Sequence, residues 1–86
     1  MTEEEIRQGV FGIVAKEASL DKASLTLDTR LGDLRIKSLA MVQILFEIEE
    51  GFGIYIPQDA LDFRIATLGD VCDGVNKLIV ARQESA

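Results

Sequence analysis

Ser38 stands where an irregular segment gives way to an apolar run, within LRIKSLAMVQILFEIEE (34–50), and Lys37 directly precedes it. A hydroxyl in that position can cap a helix, act as a nucleophile, or accept a group that the chain does not itself supply. The capping role needs nothing further, because serine is favoured at an N-cap. The nucleophilic role needs a general base. With no histidine in the chain, a Ser-His pair is excluded. A Ser-Lys pair with Lys37 is disfavoured, since neighbouring side chains at a helix start diverge and no oxyanion site is evident.

The other chemistry-bearing residues are less suggestive. Glu47, Glu49 and Glu50 are close in sequence, but Glu49 falls outside the helical stripe shared by the other two, so they do not converge on a metal. One cysteine and no histidine cannot make a cysteine/histidine zinc site or an internal disulfide. Cys72 lies among apolar residues at helical spacing and reads as a packed thiol. Gly32, Gly51 and Gly53 lack the spacing and the following Lys-Ser/Thr of a phosphate loop.

Composition sets the outer bounds. The 86 residues are 48% hydrophobic, enough for one domain (1–86) with a modest core. Aromatic residues are 6%, there is no Trp, and the net charge is −6. Stacking platforms and phosphate-backbone contacts are both disfavoured, so no nucleic acid partner is expected. The longest apolar runs fall short of the roughly 18 residues that mark a membrane span. The acidic start MTEEEIRQG lacks the order of a signal peptide. A cytoplasmic monomer is expected.

Helical periodicity dominates the elements that must position Ser38. Thr2 and Glu5 form a capping-box pattern, and Ile6, Val10, Ile13 and Val14 follow at helical spacing, predicting a helix over 3–17. Residues 19–37 read as a long ordered loop pinned by Leu20, Leu25, Leu27, Leu31 and Leu34. A loop of that length in a small domain is usually functional. A second helix is predicted over 38–50, with Gln43, Glu47 and Glu50 on a narrow polar stripe and apolar residues around most of the rest. Val42, Leu45 and Ile48 are expected to be buried, making this helix the packing spine. Gly51 and Gly53 end it. QDALDFRI (58–65) fits a short third helix, and Thr67 with Asp70 caps a fourth over 68–82. The fold class is all-α, a four-helix domain with a long first loop.

The stretch DLRIKSLAMVQILFEIEEGFGIYIP resembles the acyl carrier protein family, whose pattern is of the type D-L-G-x-D-S-L-x-x-V-E-L-x-x-x-L-E-E-x-F-x-x-x-I-P. Asp33, Leu34, Ser38, Leu39, Val42, Glu49, Glu50, Phe52, Ile56 and Pro57 match it, and Ile44 and Ile48 replace leucines. The motif spans about a third of the chain, and the order of helices extends the likeness over nearly all of it. The resemblance implies a four-helix bundle of acyl-carrier type with no catalysis of its own. It implies that Ser38 is the attachment point of 4′-phosphopantetheine, added from coenzyme A by a phosphopantetheinyl transferase. The arm's thiol would carry an acyl group as a thioester, and acyl-activating, condensing or acyltransferase enzymes would dock around it. By the same resemblance, docking falls to Arg35, Lys37, Leu39, Ala40, Gln43, Phe46, Glu47, Glu49 and Glu50.

Four positions depart from the pattern. Lys37 replaces the acid before the serine, Arg35 the glycine, Ala40 an acidic residue and Gln43 a glutamate. The departures imply a specialised carrier for a lipid, polyketide or related pathway, served by dedicated enzymes. A peptidyl or aminoacyl carrier belongs to the same class. The competing class is an unmodified helical adaptor that keeps the carrier fold.

Overall fold

The computed structural model describes residues 2–57, 62 and 65–85. Its regular structure is helical: α1 (Glu3–Ala18), α2 (Ser38–Phe52) and α3 (Leu68–Ser85), with 3-10 turns at Lys22–Ser24 and Leu31–Leu34 between α1 and α2. The all-α class is as expected, and α3 is the helix predicted last. The short helix predicted over 58–65 falls for the most part outside the described residues.

α1 begins as its sequence requires. The Thr2 hydroxyl accepts the Glu5 N–H, and the Glu5 carboxylate accepts the Thr2 N–H. This reciprocal cap satisfies donors that have no partner inside the helix. Ile6, Val10 and Val14 form the buried stripe, widened by Phe11 and Ala15. Ser19 ends the helix at φ 57°, and the Leu20 N–H returns to the Ala15 carbonyl at 2.9 Å. At Gly9 the aromatic ring of Phe52 from α2 lies so close that an added Cβ would sit 2.7 Å from it.

The connection from α1 to α2 is held at both ends of its path. Leu25 and Leu31 are buried, and Leu34 and Ile36 pack against the same cluster. Leu20 and Leu27, expected as further pins, are exposed. At Leu27 the backbone carries the attachment instead. The Leu27 carbonyl accepts the Gly69 N–H at 2.8 Å, the Thr29 carbonyl accepts the Leu68 N–H at 2.8 Å, and the Leu31 N–H donates to Ala66 O at 3.0 Å. The first two bonds fill amide donors at the start of α3 that a helix leaves open, and the third satisfies the Leu31 amide. The Thr67–Asp70 capping box forms as predicted, with bonds of 3.0 and 3.1 Å.

α1, not α2, is the common packing partner, since it lies along both α2 and α3. The register expected for α2 also needs correction. Ile44, Ile48 and Phe52 are its buried residues, Leu45 is half-buried, and Val42 is exposed. The physical reason is the near-continuous apolar circumference. At about 100° per residue, Val42 stands about 120° from Ile48 around the helix, and an apolar residue marks either arc equally well.

Ile48, fully buried, should therefore lose about 2–5 kcal/mol on substitution by Ala. Val42→Ala should change stability by no more than about 0.5 kcal/mol. Urea denaturation of the two variants checks this, and comparable losses would contradict the register.

Candidate functional site

Ser38 is not an N-cap. Lys37 occupies that position in extended conformation (φ −67°, ψ 153°), and Ser38 is the first residue of α2. The Lys37 carbonyl accepts the Met41 N–H at 2.9 Å, but its side chain offers no acceptor to the first turn. Among the described residues, the amides of Ser38, Leu39 and Ala40 have no acceptor. The Ser38 hydroxyl is exposed, and no described residue hydrogen-bonds it.

The preceding segment alternates. Leu34 and Ile36 face the core, while Arg35 and Lys37 face solvent. Arg35 adopts the left-handed conformation (φ 54°, ψ 39°). That position suits glycine, and an L side chain there costs about 1–2 kcal/mol. Neither Arg35 nor Lys37 is paired with a carboxylate of the described residues.

The outward face of α2 is apolar. Leu39 is 75% exposed, Phe46 56% and Val42 43%. Gln43 and Glu50 are exposed on the same side, and Ala40 is half-buried. The two other glutamates of the helix are engaged internally. Glu49 Oε2 accepts the Ile56 N–H at 2.9 Å, while the Glu49 carbonyl accepts the Gly53 and Ile54 N–H groups. Glu47 makes an ion pair with Lys16 of α1. Arg82 of α3 donates to the Phe52 carbonyl at 3.3 Å and to the Gly53 carbonyl at 2.6 Å, closing the C-terminus of α2. No periodicity in the sequence singled out Lys16, Glu17 or Arg82, because their partners lie far away along the chain.

Glu17 joins the Lys16–Glu47 pair. The hydrogen bond from Lys16 holds the Glu47 carboxyl below its ordinary value, and the same bond holds the Lys16 ammonium above its own. Glu17 shifts the other way: hydrogen bonding with the Glu47 carboxylate raises its carboxyl, with help from burial and from the like charge. Glu47 Oε2 is buried with no donor among the described residues.

Recesses flank the helices. One, of about 330 Å3, opens between α2 and α3 against Leu45, Ile48, Ile56, Val71, Val75 and Leu78, with Asp70, Asp73 and Lys77 at its rim. Another, of about 400 Å3, lies between the start of α1 and α3, with Leu27 of the connection in its wall, and takes no residue from α2. Half-buried Cys72 lines that second recess, and burial pushes its thiol up. Among the described residues no cluster of three side chains is fit to hold a metal ion, and no helix is long and apolar enough to cross a membrane.

Ser38 is thus an exposed serine at the first position of α2, with no hydrogen bond to a described residue. In comparison with known proteins, residues 8–75 match the family described as phosphopantetheine attachment site. An acyl carrier protein of Guillardia theta is 34% identical over 82 residues, covering 94% of this chain and all of the relative. One of Rickettsia prowazekii is 39% identical over 71 residues, covering 81% of each. The meromycolate extension acyl carrier protein of Mycobacterium leprae is 32% identical, covering the whole of this chain and 75% of the relative. The chain belongs to the acyl carrier family, whose prosthetic group is covalently bound 4′-phosphopantetheine. The residues present fit that group: a free hydroxyl, open space around it, and unfilled amide donors suited to a phosphate.

The Glu17–Glu47 contact predicts a pH signature. Glu17, raised above 4.5, contributes stability that is present at lower pH and lost as pH rises through its folded value. Glu47, lowered, contributes stability present above 4.5 and lost as pH falls through its folded value. Glu17→Gln supplies a permanent donor and removes the like charge. Its melting temperature should exceed that of the native chain at pH 7, and the gap should close on acidification as the native Glu17 takes up its proton. Thermal melts across that range measure it, and a gap that widens on acidification would refute the pairing.

Proposed function

We propose that Ser38 carries the 4′-phosphopantetheine and that the protein is an acyl carrier for a specialised lipid, polyketide or related pathway. The observation that carries the assignment is the state of Ser38: exposed, first in α2, and free of any hydrogen bond to a described residue. The hydroxyl forms the phosphodiester, and a transferase supplies the base that the chain lacks. The amides of the first turn favour the resulting negative charge through the partial positive charge of a helix start. The arm contributes a terminal thiol that holds the cargo as a thioester. Leu45, Ile48, Val71, Val75 and Leu78 give an apolar recess beside α2 in which an acyl chain is shielded from water, with a gain of about 0.8 kcal/mol for each buried methylene.

Docking falls on the outward face of α2 and on the residues just before it. Arg35, Lys37, Leu39, Ala40, Gln43, Phe46 and Glu50 face a partner there. Glu47 and Glu49 support that face from inside, through Lys16 and through the Ile56 amide. The reading as a dedicated carrier is supported by Arg35, Lys37, Ala40 and Gln43, which replace glycine and acids of the family pattern. Its partners are a phosphopantetheinyl transferase and the acyl-activating, condensing or acyltransferase enzymes of one pathway.

Co-production with a transferase, followed by intact-mass measurement, should show one arm per chain, and peptide mapping should place it on Ser38. Ser38→Ala should show none, with stability within about 0.5 kcal/mol of the native chain, because the hydroxyl makes no native contact. An arm found on Ser19 or Ser24 would displace the assignment. No mass gain, under conditions that load a control carrier, would leave the unmodified adaptor.

A further inference from the structure

We infer that the surface around Ser38 is built to dock an acidic protein partner, the reverse of what the acidity of the chain suggests. The inference rests on the reading of Ser38 as the attachment residue only for the placing of partners around it.

Three observations carry it. Leu39, Val42 and Phe46 recur at helical spacing and stand exposed, an apolar stripe that a partner has to cover with apolar groups of its own. Arg35 and Lys37 border that stripe at the serine end, both exposed and neither paired within the described residues. The carboxylates of α2 lie in its second half, away from the serine end. Glu47 turns to Lys16 of α1, and Glu49 receives the Ile56 amide. Glu50 remains on the outward face of α2, and Asp33 is the one carboxylate within 30–37, a stretch that also contains Arg30. Residues 30–46, which include Ser38, therefore carry Arg30, Arg35 and Lys37 against Asp33, three positive charges to one negative, on a chain whose total is −6.

The local backbone sharpens the point. Arg35 occupies a left-handed position that glycine takes without strain, and Lys37 occupies an N-cap position that favours Asp or Ser. Lys37 also adds positive charge at the positive end of a helix. Neither cation makes an ion pair among the described residues that would repay these positions. A partner with a groove rimmed by Asp and Glu gains from both, whereas a basic docking patch meets like charge beside the reacting centre.

The test uses a fatty-acid-type condensing enzyme with a basic docking patch, and a second form of it in which the patch residues are changed to Glu. Affinity for each is measured with the native chain and with Arg35→Gly/Lys37→Asp. The measurements are repeated on the Ser38→Ala chain, which has no arm, so the charge assignment is read independently of attachment. The native chain should favour the Glu-rimmed form by about tenfold at low salt, the order of effect that complementary charge gives. The double variant should reverse the preference, and both preferences should fade as salt approaches about 1 M, where the Debye length is about 3 Å. A melting temperature of the double variant at or above the native value verifies that it folds. Equal or tighter native binding to the basic form, or a preference the double variant leaves unchanged, overturns the inference. Failure to load Ser38 bears on the proposed function alone.

Discussion

The backbone bonds that join residues 27–31 to 66–69 are the constraint on which the rest depends. A helix start leaves amide donors open, and a long loop leaves carbonyls open. Here each satisfies the other, through Thr29 with Leu68 and Leu27 with Gly69. With Leu25 and Leu31 buried beneath them, these bonds fix the path of the crossover between α1 and α2. The chain then has few residues left before α2, and their in-and-out alternation decides which of them reach solvent. Ser38 stands free because everything upstream of it is held.

A division of labour runs through α2. One arc, through Ile44, Ile48 and Phe52, builds the core with α1. Its C-terminus is closed from α3 by Arg82, and its middle is tied to α1 by Glu47. On the opposite arc Leu39, Val42, Phe46 and Glu50 are exposed. The helix that presents the serine is thus fixed at its middle and far end, while its first turn has open amides and an unfilled cap.

Local patterns were legible in the sequence, and long-range ones were not. Both capping boxes, the three long helices and the pins at Leu25, Leu31 and Leu34 followed from spacing and residue type. So did the place of Ser38 at the opening of α2, although its role as a cap did not hold, because Lys37 takes the N-cap and makes Ser38 the first helical residue. The facing of α2 was illegible, since leucine, isoleucine, valine and phenylalanine surround most of it and Val42 carries the same hydrophobic signal as Ile44. The pins assigned to Leu20 and Leu27 failed because at Leu27 the backbone does the holding, and a carbonyl has no signature in the side-chain sequence. Glu47 read as part of a polar stripe and Glu49 as lying outside it, with both assigned to docking by resemblance. Their engagement depends on Lys16 and on the Ile56 amide, which only the folded chain brings near them.

The half-buried Cys72 bears on how such a molecule keeps what it carries. A thioester is open to attack by any thiolate, and a protein that bore an exposed, ionised cysteine would pass acyl groups from its arm to itself, creating a dead-end S-acyl chain. Attack needs the thiolate, and burial raises the Cys72 thiol away from that form. The recess that holds Cys72 takes nothing from α2, the helix that Ser38 opens. Burial of the thiol and its place away from α2 both disfavour attack by the chain's own sulfur on a thioester.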